Sequence, residues 1–296
     1  MKLFEEKTTG LWTAIDFKHW KVKLQYWIVF LFMVIVSSIC LFPPIWLFLS
    51  SFKDINEFLT VPPTIMPKSF DITKLADVWN SIAFGKYYAN TMFMAVGDLF
   101  VCIMVTGLAG YVLSRLKPKG ISLVFALIMW TMMLPNSISM VPLFMTFVDF
   151  PLIHANLTNT YIPMWLMSGA NTFFILIFKS YFDSIPMSYI EAARIDGCTD
   201  FGIFSKIIVP LSKPVIMVIT IFSLNSSWEN FFWPYVLIKK EALFTVSTKI
   251  FVMKSGGWPM DTYIVSLLFM MLPPAIIFLI FQKNIIGGLT IGGIKG

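Results

Sequence analysis

Charge is scarce in this chain of 296 residues. Asp, Glu, Lys and Arg together make up 13% of it, about half the ~25% of an ordinary soluble domain, so much of the surface cannot be facing water. Histidine is limited to His19 and His154, too far apart to suggest a proton relay or a metal site. Cys40, Cys102 and Cys198 are widely separated, and no C-x-x-C occurs, which argues against both a disulfide framework and a zinc site. The chain has no G-x-x-x-x-G-K-[ST], so it does not itself cradle ATP phosphates. It also lacks a G-x-S-x-G or a paired His/Asp cluster that would serve a membrane-embedded enzyme. Low-complexity tracts and sequence repeats are absent too.

What the chain does have is apolar sequence: hydrophobic residues reach 57%. Six runs are long enough for a bilayer core that takes ~20 helical residues. They lie near 26–50, 88–113, 121–146, 161–179, 214–237 and 263–282. Runs this long and this little alternating predict helices, not barrel strands. The expected fold is an all-α integral membrane protein of six transmembrane helices. Paired methionines such as Met132-Met133 and Met270-Met271 read as packing. The first run is too long for a signal-peptide core and no small-x-small site follows it, so it reads as a retained span.

Basic residues set the expected orientation. Lys2, Lys7, Lys18, Lys21 and Lys23 precede the first run, and the short second connection carries Arg115, Lys117 and Lys119. The fourth carries Lys179, Arg194, Lys206 and Lys213, while the third has none. Both termini and the fourth connection are therefore expected in the cytoplasm. Residues 1–25 mix Leu11, Trp12, Ile15, Phe17 and Trp20 with lysines, which suits either a helix in the cytoplasmic interface or a tail without a specific role.

The fourth connection is the most informative segment. It reads Glu191-Ala192-Ala193-Arg194-Ile195-Asp196-Gly197, then nine residues on Ile207-Ile208-Val209-Pro210. Asp183 or Ser184 is placed to cap a helix with Pro186 in its first turn. Tyr189 to Asp196 suit that helix, and Gly197 suits the left-handed residue that ends it. Thr199 or Asp200 can cap a second helix, Phe201 to Ile208, stopped by Pro210. Ala192 and Ala193 permit close approach of another surface, and Glu191 offers a carboxylate to a partner's arginine. Phe201, Phe204, Ile207 and Ile208 are expected to rest against the membrane helices.

Two carboxylates fall inside the runs. Asp98 lies about ten residues into the second run, roughly 15 Å along its axis, and Glu229 lies toward the end of the fifth. Intramembrane carboxylates face a cavity or a polar partner. Glu229 sits with Asn225, Ser226, Ser227, Trp228 and Asn230, with Trp233 following. Such a patch could line a path for a sugar, whose hydroxyls and C–H faces suit polar groups and aromatic rings. Serine and asparagine could equally bond helix to helix. Farther on, Ser255-Gly256-Gly257-Trp258-Pro259 reads as a turn presenting an aromatic.

The spacing E-A-A, three residues, G, nine residues, I-x-x-P resembles the cytoplasmic EAA loop, here 183–212, of ABC importer permeases. Further likenesses are Asn90-Thr91, the run Gly107 to Arg115, the segment Trp228 to Pro234, and the closing Gly288-Leu289-Thr290 … Gly292-Gly293-Ile294-Lys295-Gly296. Val209 stands where the family usually has Leu, and residues 228–234 exchange the family's acidic and amide positions. Together these resemble the carbohydrate branch, in particular the maltose-type second permease subunit. They cover most of 26–296.

The resemblance implies a type I importer transmembrane domain over 26–296, in a bacterial plasma membrane. Its partners would be a homologous second permease, two ATPase subunits that hold ATP and Mg, and an extracellular solute-binding protein. No nucleic acid, no metal and no cofactor bound by the chain itself is implied. Tyr189, Glu191, Ala192, Ala193, Arg194, Asp196, Gly197, Ile207 and Pro210 would then form the ATPase-coupling loop. Gly256, Gly257 and Trp258 would meet the binding protein, and the tail at Gly292, Gly293, Lys295 and Gly296 would reach the ATPase interface. Asp98, Asn225, Trp228, Glu229, Asn230 and Trp233 are the path candidates. The expected cargo is an oligosaccharide. The alternatives are a related importer of another solute, such as glycerol phosphate or a polyamine, or a proton-coupled secondary transporter. The sugar's identity and the identities of the partners are not encoded in any motif.

Overall fold

The structure, a computed structural model, describes residues 20–62 and 64–291. Most of the N-terminal segment and the tail candidates Gly292, Gly293, Lys295 and Gly296 therefore lie outside the described residues. The chain divides into two compact units after Ile72.

In the first unit, α1 (Trp20–Ser50) is a 31-residue apolar helix with Pro43 and Pro44 inside it. A short α2 (Ile55–Phe58) follows, opened by a capping box between Asp54 and Glu57. Glu57 also accepts the Lys68 amide at 3.1 Å, and Lys53 donates to the Thr64 carbonyl.

The second unit is built around α4 (Phe84–Tyr111), which follows α3 (Thr73–Ile82) and ends in a π-helical turn, Val112–Leu116. Next come α5 (Ile121–Thr131), α6 (Asn136–Val148), α7 (Ile162–Gly169) and α8 (Thr172–Ser184). The fourth connection holds α9 (Ser188–Ile195), α10 (Asp200–Ile203), a π-helical turn Phe204–Ile208, and α11 (Val209–Leu211). The chain closes with α12 (Lys213–Glu229), α13 (Phe232–Leu237), α14 (Val246–Ser255) and α15 (Met260–Ile291).

Among the described residues, three helices are long and apolar enough to cross a membrane, or up to five if each bent pair is one span. The expected continuous run 121–146 is broken between α5 and α6. Pro135 pushes the residue before it out of the helical region and supplies no N–H itself. The run 161–179 bends by 42° between α7 and α8. There Asn171 restarts the helix by accepting the Phe174 amide at 3.1 Å. The run 214–237 is interrupted as well: α12 ends at Glu229, and Asn230 is extended before α13 begins.

Association of helices in lipid relies on close packing more than on the hydrophobic effect, and α4 carries the glycines that allow it. A Cβ on Gly97 would lie 2.2 Å from Trp165 Nε1, and one on Gly110 would lie 2.7 Å from Phe178 Cβ. Trp165 lies against this face and donates to the Met94 carbonyl at 3.0 Å. One buried cluster joins α4, α8, the fourth connection and α12 through Tyr111, Phe178, Phe182, Ile190, Ile203, Phe204 and Ile219. Another joins α3, α4, α12, α14 and α15 through Ile82, Phe84, Trp228, Ile250 and Val265.

Candidate functional site

The fourth connection folds as a helix–glycine–helix hairpin. Gly197 has φ +79°. The Gly197 amide bonds to the Arg194 carbonyl at 3.0 Å and the Cys198 amide to the Ala193 carbonyl at 2.9 Å, a Schellman closure of α9. Thr199 then caps α10 by accepting the Gly202 amide at 3.2 Å. The start of the hairpin differs from expectation. α8 runs through Asp183 and Ser184, so neither caps α9, whose N-cap is Met187. Its end differs too, because Pro210 does not stop the second helix. The π-helical turn before it carries the helix on to Leu211, since a widened turn accommodates a proline ring and its missing N–H. The chain then turns by 79° into α12.

Ile190, Ile203 and Ile208 are fully buried, and Phe204 and Ala193 nearly so. Phe201, expected to be buried, is exposed at 66%. Ala193 faces the core, which leaves Ala192 as the small residue on the surface. Tyr189, Glu191, Arg194, Asp196, Gly197 and Pro210 are exposed, and Ile207 is half-buried. Ile195 is exposed at 87%, so α9 presents a bare apolar side chain between two charges.

The hairpin is anchored to the end of α4. Arg115 donates to the carbonyls of Phe182 and Ile185, and its other terminal nitrogen lies 3.5 Å from Met187 Sδ. Beside it, Ser114 donates to Asp183 Oδ1 at 2.6 Å, and Lys179 donates to Asp183 Oδ2 at 2.7 Å. Tyr111 packs against Phe204 with the rings tilted by 47° and centroids 5.2 Å apart. At the far end, Tyr181 donates to the Leu211 carbonyl at 3.0 Å. Arg194 pairs with Asp200 at 3.3 Å across the glycine turn. The hairpin and α4 are thus joined so that displacing one loads the other. Sequence reasoning missed Arg115 as an anchor, because its acceptors are backbone carbonyls that carry no residue signature.

A cavity of about 180 Å³ lies among α4, α7, α8, α12 and the α12–α13 break, lined by Asp98, Cys102, Met164, Met167, Ser168, Asn171, Phe174, Ser223, Ser226, Ser227, Asn230 and Trp233. Asp98 Oδ2 accepts from Ser227 at 2.7 Å. Of the six path candidates, the structure brings Asp98, Asn230 and Trp233 together here. Asn225, Trp228 and Glu229 do not line this cavity. Asn225 donates to Glu229 at 3.3 Å on another face of α12. Trp228 is buried against Tyr88 and donates to the Met270 carbonyl at 2.9 Å. The walls contributed by α7 and α8 went unread, because nothing local to Ser168 or Asn171 says what they face.

The turn between α14 and α15 places Gly257 at φ +70° and leaves Trp258 41% exposed. Lys249 Nζ lies 5.9 Å from the Trp258 ring centre and 5.3 Å from that of Tyr87, and bonds Glu241 at 2.6 Å. The hydrogen bonds from Lys249 and Tyr87 hold the Glu241 carboxyl below its ordinary pKa. Burial alone would push Lys249 down, but Glu241 and Tyr87 outweigh it and leave its pKa raised. Asn90 and Thr91 secure the neighbouring segment to α4. Asn90 donates to the Ala242 and Phe244 carbonyls at 2.9 and 3.0 Å, and Thr91 accepts the Val246 amide at 2.9 Å.

Residues 103–290 match the family described as "Binding-protein-dependent transport system inner membrane component". The arabinooligosaccharides transport system permease protein AraQ of Bacillus subtilis (strain 168) is 34% identical over 273 residues, covering 90% of this chain and 94% of that protein. The maltodextrin transport system permease protein MalD of Streptococcus pneumoniae (strain ATCC BAA-255 / R6) is 28% identical over 280 residues, covering 93% and 98%. A solved bacterial ABC transporter involved in the import of the acidic polysaccharide alginate contains a chain with a TM-score of 0.76 and 23% identity, covering 93% of this chain and 99% of that one. At that identity the likeness speaks to fold.

Proposed function

The chain belongs to the family of binding-protein-dependent transport system inner membrane components, and on that premise we propose that it is one of two permease subunits of an ATP-driven oligosaccharide importer. Its relatives' names, arabinooligosaccharide and maltodextrin permeases, support a carbohydrate as cargo. The chain crosses the bacterial plasma membrane six times with both termini in the cytoplasm. A homologous permease completes the pathway, and two ATPase subunits bind ATP and Mg and carry out hydrolysis. An extracellular solute-binding protein delivers the sugar, meeting Gly256, Gly257 and Trp258.

The observation that carries this reading is the exposed, glycine-closed hairpin anchored to α4 through Arg115. Glu191, Ala192, Arg194, Ile195 and Asp196 stand clear of the chain's own core, ready for an ATPase surface. Closure of the ATPase dimer displaces the hairpin. The bonds from Arg115, Ser114 and Tyr111 pass that displacement to α4, whose far end holds the 242–246 segment through Asn90 and Thr91. Access thereby alternates between two states.

Affinity capture of the tagged chain from detergent-solubilised native membranes tests this. A second multi-span subunit and an ATPase should co-purify with the natural chain, and the ATPase should be lost with Glu191→Lys or Gly197→Pro. A chain that elutes alone in every version refutes the coupling role.

A further inference from the structure

The backbone of the turn after α14 fixes where the chain goes but not where the Trp258 ring points. Gly257 is left-handed at φ +70°, and the Gly256 and Trp258 amides both reach back to the Met253 carbonyl, at 3.1 and 3.4 Å. An indole on such a turn still has several staggered rotamers open to it. What lies against the ring is Lys249, from the first turn of the same helix. Its Nζ stands 5.9 Å from the Trp258 ring centre and 5.3 Å from that of Tyr87 on α4. Both distances fall within the roughly 6 Å over which an aromatic face attracts a cation.

The ammonium is itself held in place. A lysine ordinarily carries its head into water, yet the Lys249 side chain is only 13% exposed. Glu241 accepts from it at 2.6 Å and from the Tyr87 hydroxyl at 3.0 Å. Three segments far apart in sequence, at Tyr87, Glu241 and α14, therefore meet at one nitrogen. Trp258 stays 41% exposed while Lys249 is covered. A docking protein would touch the ring and not the ammonium behind it.

We propose that Lys249 is a positioning residue for the docking of the solute-binding protein, holding Trp258 in one orientation relative to α4 before that protein arrives. The inference rests on the transport reading and names what presets its outer contact. A large aromatic is a residue type that carries contact energy, and an anchor ordered in advance costs the partner less on binding. Loss of Lys249 should weaken docking and leave the steps after docking as they were.

The test is ATP hydrolysis by the permease–ATPase complex in nanodiscs, titrated with the purified, sugar-loaded solute-binding protein of the same host. Trp258→Leu should raise the half-saturating concentration about tenfold. Lys249→Met keeps the apolar stem without the charge, and should raise it about fivefold at an unchanged maximal rate. Lys249→Arg restores a cation for the rings and for Glu241, and should stay within about twofold of the natural chain. In a Trp258→Leu background, Lys249→Met should add nothing. Half-saturation unchanged in Lys249→Met would overturn the inference, as would an arginine variant as weak as the methionine one. So would effects of the two substitutions that simply multiply, or a maximal rate that falls while half-saturation holds, which would make Lys249 a residue of stability only. A natural complex whose hydrolysis ignores the binding protein would overturn the transport reading. Trp258→Leu without effect would overturn the outer contact alone. Either result takes this inference with it.

Discussion

The Trp228 indole donates a 2.9 Å hydrogen bond to the Met270 carbonyl, the carbonyl that Pro274, four residues on in α15, leaves without its helical donor. Pro273 likewise strips the Phe269 carbonyl, which the Tyr88 hydroxyl takes up. Two successive prolines inside a long apolar helix are therefore matched by two aromatic donors from neighbouring helices, as spans require when backbone groups are freed. Trp228→Phe keeps the ring and removes the donor, and should destabilise the protein by about 1 kcal/mol. In a Pro274→Ala background the Met270 carbonyl regains a helical N–H, so the same substitution should cost less. Thermal unfolding of the four proteins closes this cycle, and strict additivity would refute the pairing.

Arg115 is the second test. One terminal nitrogen of its guanidinium holds two carbonyls at the C-terminal end of α8 while the other reaches Met187 Sδ, a spread that the single ammonium of lysine cannot reproduce. Arg115→Lys and Arg115→Gln should leave the complex assembled while sugar uptake falls about tenfold or more relative to ATP hydrolysis. Measuring both rates in proteoliposomes separates lost coupling from lost folding. A proportional fall in both would mean that Arg115 only stabilises the chain.

Two glycines should respond to alanine for different reasons. A Cβ at Gly110 meets Phe178 Cβ at 2.7 Å and the Lys179 amide at 3.1 Å. α4 and α8 must then separate, at an expected cost of about 1–3 kcal/mol. At Gly197 nothing lies within 4 Å of an added Cβ, so Gly197→Ala carries only the left-handed backbone penalty of about 1–2 kcal/mol, confined to the hairpin. Gly110→Ala should lower the unfolding temperature of the whole chain. Gly197→Ala should mainly weaken ATPase capture.

These contrasts show what could be read from the residues alone. The hairpin's closure was legible because its signals are local: Gly197 must be left-handed, and Thr199 sits where a cap belongs. Its packing was less so: Ala193 faces the core and Phe201 the surface, because which side of so short a helix meets the membrane helices is set by tertiary contacts and not by local pattern. The long apolar runs announced membrane helices, but not that Pro135, Asn171 and Asn230 interrupt three of them. Trp228 looked like a wall of the path because it sits among polar residues. The reason for its burial lies in Pro274, across a tertiary contact that no local pattern reveals. Asp98 was conspicuous as a lone carboxylate, whereas Ser168 and Asn171, which face the same cavity from other helices, were ordinary residues in the sequence.

The ion pair between Glu241 and Lys249 makes the last prediction, concerning pH. Glu241 is held below its ordinary pKa, first by the Lys249 hydrogen bond and then by Tyr87. A depressed carboxylate contributes stability that is present above its unfolded pKa and lost as pH falls through the folded one. Lys249 is raised in the folded chain, so its contribution is complete below the unfolded lysine value and lost as pH rises through the folded one. Both contributions coexist only between the carboxylate and lysine ranges. A Glu241→Gln, Lys249→Met cycle on the unfolding temperature should therefore show coupling at neutral pH. The coupling should fade in acid below the ordinary glutamate range and again in strong alkali. It should be modest throughout, because Glu241 is largely exposed and exposed pairs are screened. Coupling that persisted unchanged into acid would mean that the 2.6 Å contact owes nothing to charge, and that Lys249 is held by the rings of Tyr87 and Trp258 alone.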